Sequence, residues 1–94
     1  MEKNKVKRIT RSITITYYDE KLIPVLADIV SQVLFHNIPY NNLNVSVSWE
    51  YKKYTIRIEG EEEKVENLVD NLIDILYEKL KSLIKQNLAD IGVE

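Results

Sequence analysis

Three stretches of the chain alternate apolar and polar residues with a period of two. From Arg8 to Tyr17, Ile9, Ile13, Ile15 and Tyr17 face one way, with Arg11 interrupting them, while Thr10, Ser12, Thr14 and Thr16 face the other. Alternation of β-branched residues marks a half-buried strand, because successive side chains leave a pleated backbone on opposite faces. Leu43, Val45, Val47, Trp49 and Tyr51 alternate in the same way with Asn44, Ser46, Ser48 and Glu50. Tyr54, Ile56 and Ile58 alternate with Thr55, Arg57 and Glu59. The second and third stretches form a hairpin. With Lys52-Lys53 as a two-residue loop, Tyr51 meets Tyr54, Trp49 meets Ile56 and Val47 meets Ile58, apolar against apolar on one face. Lysine suits a tight primed turn poorly, so a longer loop stays open.

Two segments follow the helical period instead. Leu22, Val25, Leu26, Ile29, Val30 and Val33 recur at helical spacing behind Asp19, a natural N-cap, with Pro24 tolerated only in the first turn. Asn37 and Pro39 end this helix, and Asn41-Asn42 is turn chemistry. After Gly60, a stripe of Val65, Leu68, Val69, Leu72, Ile73, Leu76, Leu80, Leu83 and Ile84 predicts a long helix over about 61–91. Its acidic residues lead and its lysines follow, as the helix dipole favours.

The predicted order is β-α-β-β-α. Each strand has one apolar and one Ser/Thr-rich face, so both helices belong on one side of a three-stranded antiparallel sheet. This is a two-layer α+β domain, close to a ferredoxin-like arrangement without its last strand. A helix of roughly 30 residues reaches about 45 Å, whereas a seven-residue strand reaches about 23 Å. The final helix should therefore overhang the sheet and leave Leu80, Leu83, Ile84 and Leu88 in need of a partner.

Length and composition narrow the possibilities. The 94 residues make one domain, 1–94, with a basic N-terminal arm over 1–7, and the net charge of −2 argues against a generally nucleic-acid-like surface. There is no cysteine and a single histidine, His36, so neither a thiolate site nor a histidine zinc site can be built in one chain. No apolar run spans a membrane, and Met1–Lys7 lacks a signal-peptide core, which predicts a cytoplasmic address.

Glu66, Asp70, Asp74 and Glu78 fall on one helix face, but on its solvated side, where general acid–base work has no pocket. No Gly-rich phosphate loop or nucleophile triad is present, and an enzyme, a metal and a cofactor are not expected. Tyr17, Tyr18, Phe35, Tyr40 and Tyr77 lie near element ends, as core rims or contact anchors. An open face of Ser and Thr, with Trp49, Tyr51 and Tyr54 on the other side, disfavours base stacking on the sheet. Lys3, Lys5, Lys7, Arg8 and Arg11 could still meet phosphate.

Tyr17-Tyr18-Asp19-Glu20 at the strand-to-helix junction, the hairpin from Val45 to Ile58, and Gly60 before a long final helix carry a resemblance. Over about residues 8–86 the chain resembles the small dimerising scaffold subunit of the KEOPS complex (the CTAG/Pcc family) or a diverged paralogue of it. Val69-Asp70-Asn71-Leu72-Ile73 stands where that family has a hydrophobic-Asn-Ser-aromatic-Leu segment, with Asp70 and Leu72 departing from it. The loop from Ile38 to Leu43 departs as well.

The resemblance implies a homodimer without enzymatic activity. It would dock the threonylcarbamoyl-transferase subunit and so support threonylcarbamoyladenosine modification of tRNA, with possible tRNA contact. It places the docking residues among Leu22, Leu26, Ile29, Val33, Val69, Ile73, Leu76, Leu80 and Leu83, some of which must be core. The alternative is a free-standing dimeric RNA- or DNA-binding protein using the basic arm.

Overall fold

The computed structural model describes residues 7–37 and 43–94. The expected strands form as β1 (Arg8–Tyr17), β2 (Asn44–Glu50) and β3 (Lys53–Glu61), and the first helix as α1 (Ile23–Asn37). Asp19 caps the short 3-10 turn Glu20–Leu22 that opens α1, its Oδ1 accepting from the Lys21 amide at 2.9 Å. Pro24 then falls in the first turn of α1, where its missing N–H costs nothing. Pro39, Tyr40 and the Asn41-Asn42 turn lie outside the described residues.

The C-terminal third departs from the expected single helix. α2 (Glu62–Lys79) ends a whole turn before Leu83, one further turn forms α3 (Lys81–Lys85), and β4 (Ala89–Val93) follows. Asn87 is what stops the helix: it adopts a left-handed backbone at φ 59°. The Leu88 amide then donates to the Leu83 carbonyl at 2.8 Å and the Asn87 amide to Ile84 at 3.1 Å. Those two bonds satisfy the orphan carbonyls of a helix end and reverse the chain. Ala89 and Ile91 then turn inward on β4, opposite Tyr17 and Ile15 of β1.

The sheet is therefore four-stranded, in the order β2-β3-β1-β4, and every pairing is antiparallel. Two split β-α-β units with that order are the ferredoxin-like arrangement in full. The α+β class holds, with both long helices on one side of the sheet, and the last strand is present after all. α2 lies over β1 and β3 while α1 packs beside α2. Ile13, Ile15, Ile56, Ile58, Val65 and Leu72 fill the layer between sheet and helices, with Leu26 and Val30 of α1 closing one side.

The hairpin register also differs from the expected one, by two residues. Trp49 pairs with Tyr54, Val47 with Ile56 and Val45 with Ile58, so the turn is Tyr51-Lys52. A shift of two keeps every side chain on its own face, so the alternation could not discriminate the two registers. Lys52 carries the left-handed backbone of the turn at φ 64°.

Candidate interaction surface

The docking residues inferred from sequence divide sharply. Leu26, Val33, Val69, Leu76 and Leu80 are core residues, so they are unavailable to a partner. Leu22, Ile29, Ile73 and Leu83 are partly buried and pack against that core. The expected overhang does not exist. Leu80 is fully buried at the α2–α3 bend, and its amide bonds to the Leu76 carbonyl at 2.8 Å. Leu83 and Ile84 fold back on the core, because α3 is brought home by the strand that follows it.

The basic residues divide too. Lys3 and Lys5 lie outside the described residues. Lys7 sits 3.8 Å from Glu62, and Arg11 sits 2.8 Å from Glu66, so two of the expected phosphate contacts face carboxylates of α2. Arg8 is exposed at the start of β1. The carboxylates Asp70, Asp74 and Glu78 are exposed along α2, and no group of three or more His, Cys, Asp or Glu among the described residues could hold a metal. His36 is exposed in the last turn of α1, edge-on to Phe35 at 5.3 Å. No helix among the described residues is long and apolar enough to cross a membrane.

Exposed apolar surface collects elsewhere, along β2. This strand is an edge of the sheet, and the row Val45, Val47 and Trp49 lies on its helix-facing side, opposite Ile58, Ile56 and Tyr54. Ile56 and Ile58 are fully buried, yet Val47 is 37% and Trp49 60% exposed. α2 covers β3 and β1, and α1 packs on α2, so the underside of β2 is left only partly roofed.

Trp49 stacks one face on Tyr54, 5.6 Å between ring centroids and 10° from parallel, and shows the rest to solvent. Beside it, Tyr17, Glu20, Ile23, Glu50, Tyr51 and Lys52 complete a shallow groove of about 360 Å³. The Tyr17 hydroxyl donates to the Glu50 carbonyl at 3.4 Å, and the Lys52 ammonium lies 5.0 Å above the Tyr51 ring. Tyr18, Phe35 and Tyr77 are exposed singly, whereas Tyr17 is core and Tyr40 lies outside the described residues.

The sequence pattern placed Val45, Val47 and Trp49 on the inward face correctly. It missed that this face is only partly roofed at β2, since that depends on where α1 lies.

No family model and no curated protein matches the chain. Among solved structures it is similar to a de novo designed protein, Foldit4, with a TM-score of 0.59 at 14% identity over 94% of both chains. It is also similar to a C-terminal segment of the alpha subunit of aIF2 from Pyrococcus abyssi, with a TM-score of 0.68 at 12% identity. That match covers 96% of this chain and 51% of the segment, so the chain spans about half of it. The intact alpha subunit of aIF2 from the same organism gives a TM-score of 0.60 at 14% identity, over 97% of this chain and 35% of the subunit.

At such identities the likeness is one of fold. A designed sequence and a segment of the aIF2 alpha subunit share this fold, so the fold assigns no activity by itself. None of the three is described as a KEOPS subunit.

Proposed function

We propose that the protein is a non-catalytic docking module that works as a homodimer, a scaffold of the KEOPS small-subunit type. The observation that carries the interaction part is the apolar row on an edge strand, where Val47 and Trp49 remain exposed beside fully buried Ile56. An edge strand offers unpaired backbone groups, and apolar side chains beside it add a contact surface. The surplus helical surface expected from the sequence no longer supports this reading, since Leu80 is buried within the chain itself.

The client, a threonylcarbamoyl-transferase acting in tRNA modification, rests on the sequence resemblance alone. The test is to mix the purified protein with a purified KEOPS transferase subunit and measure association by sedimentation velocity. Binding at micromolar concentration supports the scaffold role. Two independently sedimenting species at that concentration would remove the client and leave self-association to be judged separately.

A further inference from the structure

We propose that the groove beside the β2–β3 turn is a receptor for an arginine side chain, presented by a basic segment of a partner polypeptide. The site rests on the docking reading above and deepens it by one contact, whichever client that reading takes.

Three sets of groups meet in the groove, and each favours a cation. The first is aromatic. Trp49 gives one face to Tyr54 yet stays 60% exposed, and Tyr51 is 73% exposed. The face of an aromatic ring carries negative charge density and draws a cation. Lys52 demonstrates this within the chain, its ammonium lying 5.0 Å above the Tyr51 ring. The second is Glu20, exposed in the turn that opens α1, whose carboxylate has no ion pair among the described residues.

The third is a pair of oxygens that the fold holds in place. The Tyr17 ring is buried but lines the groove, and its hydroxyl makes one long hydrogen bond, donating to the Glu50 carbonyl at 3.4 Å. A hydroxyl that has donated its proton still accepts, and the carbonyl keeps a second lone pair.

These groups select among ligands. An anion would face Glu20 and the aromatic faces, and an apolar ligand would leave the two oxygens without donors. A quaternary ammonium suits the rings but brings no N–H to the oxygens. Guanidinium meets all three requirements. It is flat, weakly hydrated and always charged, it stacks on rings, and its forked donors match a carboxylate. The groove, about 360 Å³, has room for the methylene stem against Ile23. Its shallowness decides the source. Small-molecule pockets enclose most of their ligand, whereas a side chain is held from outside by its own backbone.

The test follows the emission of Trp49, the sole tryptophan. The full chain is titrated with acetyl-Gly-Arg-Gly-amide at fixed ionic strength, with amide NMR shifts locating the contact. A saturable change at roughly 1–10 mM is expected, as exposed cation–π and ion-pair contacts allow, with shifts at Glu20 and from Trp49 to Lys52. The uncharged citrulline peptide should bind at least about fivefold more weakly. Glu20→Gln, at an exposed position, should weaken arginine binding by roughly two- to fivefold. Lys52→Gln should strengthen it by a similar factor, because the arriving charge no longer has to displace an ammonium from Tyr51.

Equal binding of the citrulline peptide, or no effect of either substitution, overturns the proposal. Tetramethylammonium binding as tightly as the peptide overturns the guanidinium assignment, and free agmatine doing so overturns the polypeptide partner. A failed titration leaves the sedimentation test with the transferase standing, and a failed sedimentation test leaves the groove standing.

Discussion

Arg11 reaches from β1 to α2 and sets its Nη2 2.8 Å from Oε2 of Glu66, fifty-five residues away in sequence. Arg11 occupies the inward row of β1, opposite Ile58, where an apolar residue would continue the stripe. Its position near the strand's start lets the guanidinium escape the core and meet a carboxylate on the helix above. Both side chains remain more than a third exposed, so solvent screens the pair heavily. A double-mutant cycle with Arg11→Ala and Glu66→Ala, followed by urea unfolding, should give a coupling of about 0.3–1 kcal/mol that shrinks as salt rises. A salt-insensitive coupling of about 3 kcal/mol would mean the pair is far better shielded than its exposure indicates.

Leu80 and Leu83 separate a core reading from an overhang reading. Leu80 is fully buried at the bend between α2 and α3, whereas Leu83 is only partly so. Deleting a buried leucine side chain costs the transfer energy plus that of the cavity left behind. Leu80→Ala should therefore lower unfolding free energy by about 2–5 kcal/mol, with Leu83→Ala clearly below it. The check is the urea midpoint of each variant at constant slope. Equal and small losses would restore the overhanging helix.

Among the described residues, two other than glycine hold left-handed backbone, Lys52 in the hairpin turn and Asn87 after α3. An L residue in this region is strained by about 1–2 kcal/mol, asparagine less than most, and glycine hardly at all. Lys52→Gly should raise stability by about 0.5–1 kcal/mol, after allowing for the entropy glycine loses on folding. Asn87→Gly should gain less, and Asn87→Val should lose about 1–2 kcal/mol. Thermal melts of the three variants check the order. If Asn87→Val is neutral, the helix does not end through that residue.

The strands were legible in the sequence because Ile13, Ile15, Ile56 and Ile58 repeat with period two and all four are fully buried. α1 was legible through Asp19 and the Leu26, Val30 and Val33 spacing. β4 was hidden for a physical reason: Leu80, Leu83, Ile84 and Leu88 continue the helical period of α2, so periodicity ran straight through the bend. The stop signal lay in one residue, Asn87, and the strand behind it is only five residues long, with Ala89, Ile91 and Val93 on one face and Val93 still exposed.

The candidate surface was half legible. The face of Val47 and Trp49 follows from alternation, but its exposure depends on α1 packing against α2, a tertiary matter that no local pattern encodes.

The basic N-terminal residues make a last, opposing prediction. Five phosphate contacts to a single strand would contribute about 3.5 to the slope of log affinity against log salt, at about 0.7 each. Lys7 and Arg11 already face Glu62 and Glu66, so a phosphate would have to displace those carboxylates before gaining either cation. Changing both to Ala should therefore alter the salt slope of RNA binding by less than one contact, about 0.7, while the stability readout registers the loss of the Arg11–Glu66 pair. A slope reduced by about 1.4, the value of two contacts, would show both cations leaving their carboxylates for RNA. That outcome would move nucleic-acid binding ahead of protein docking.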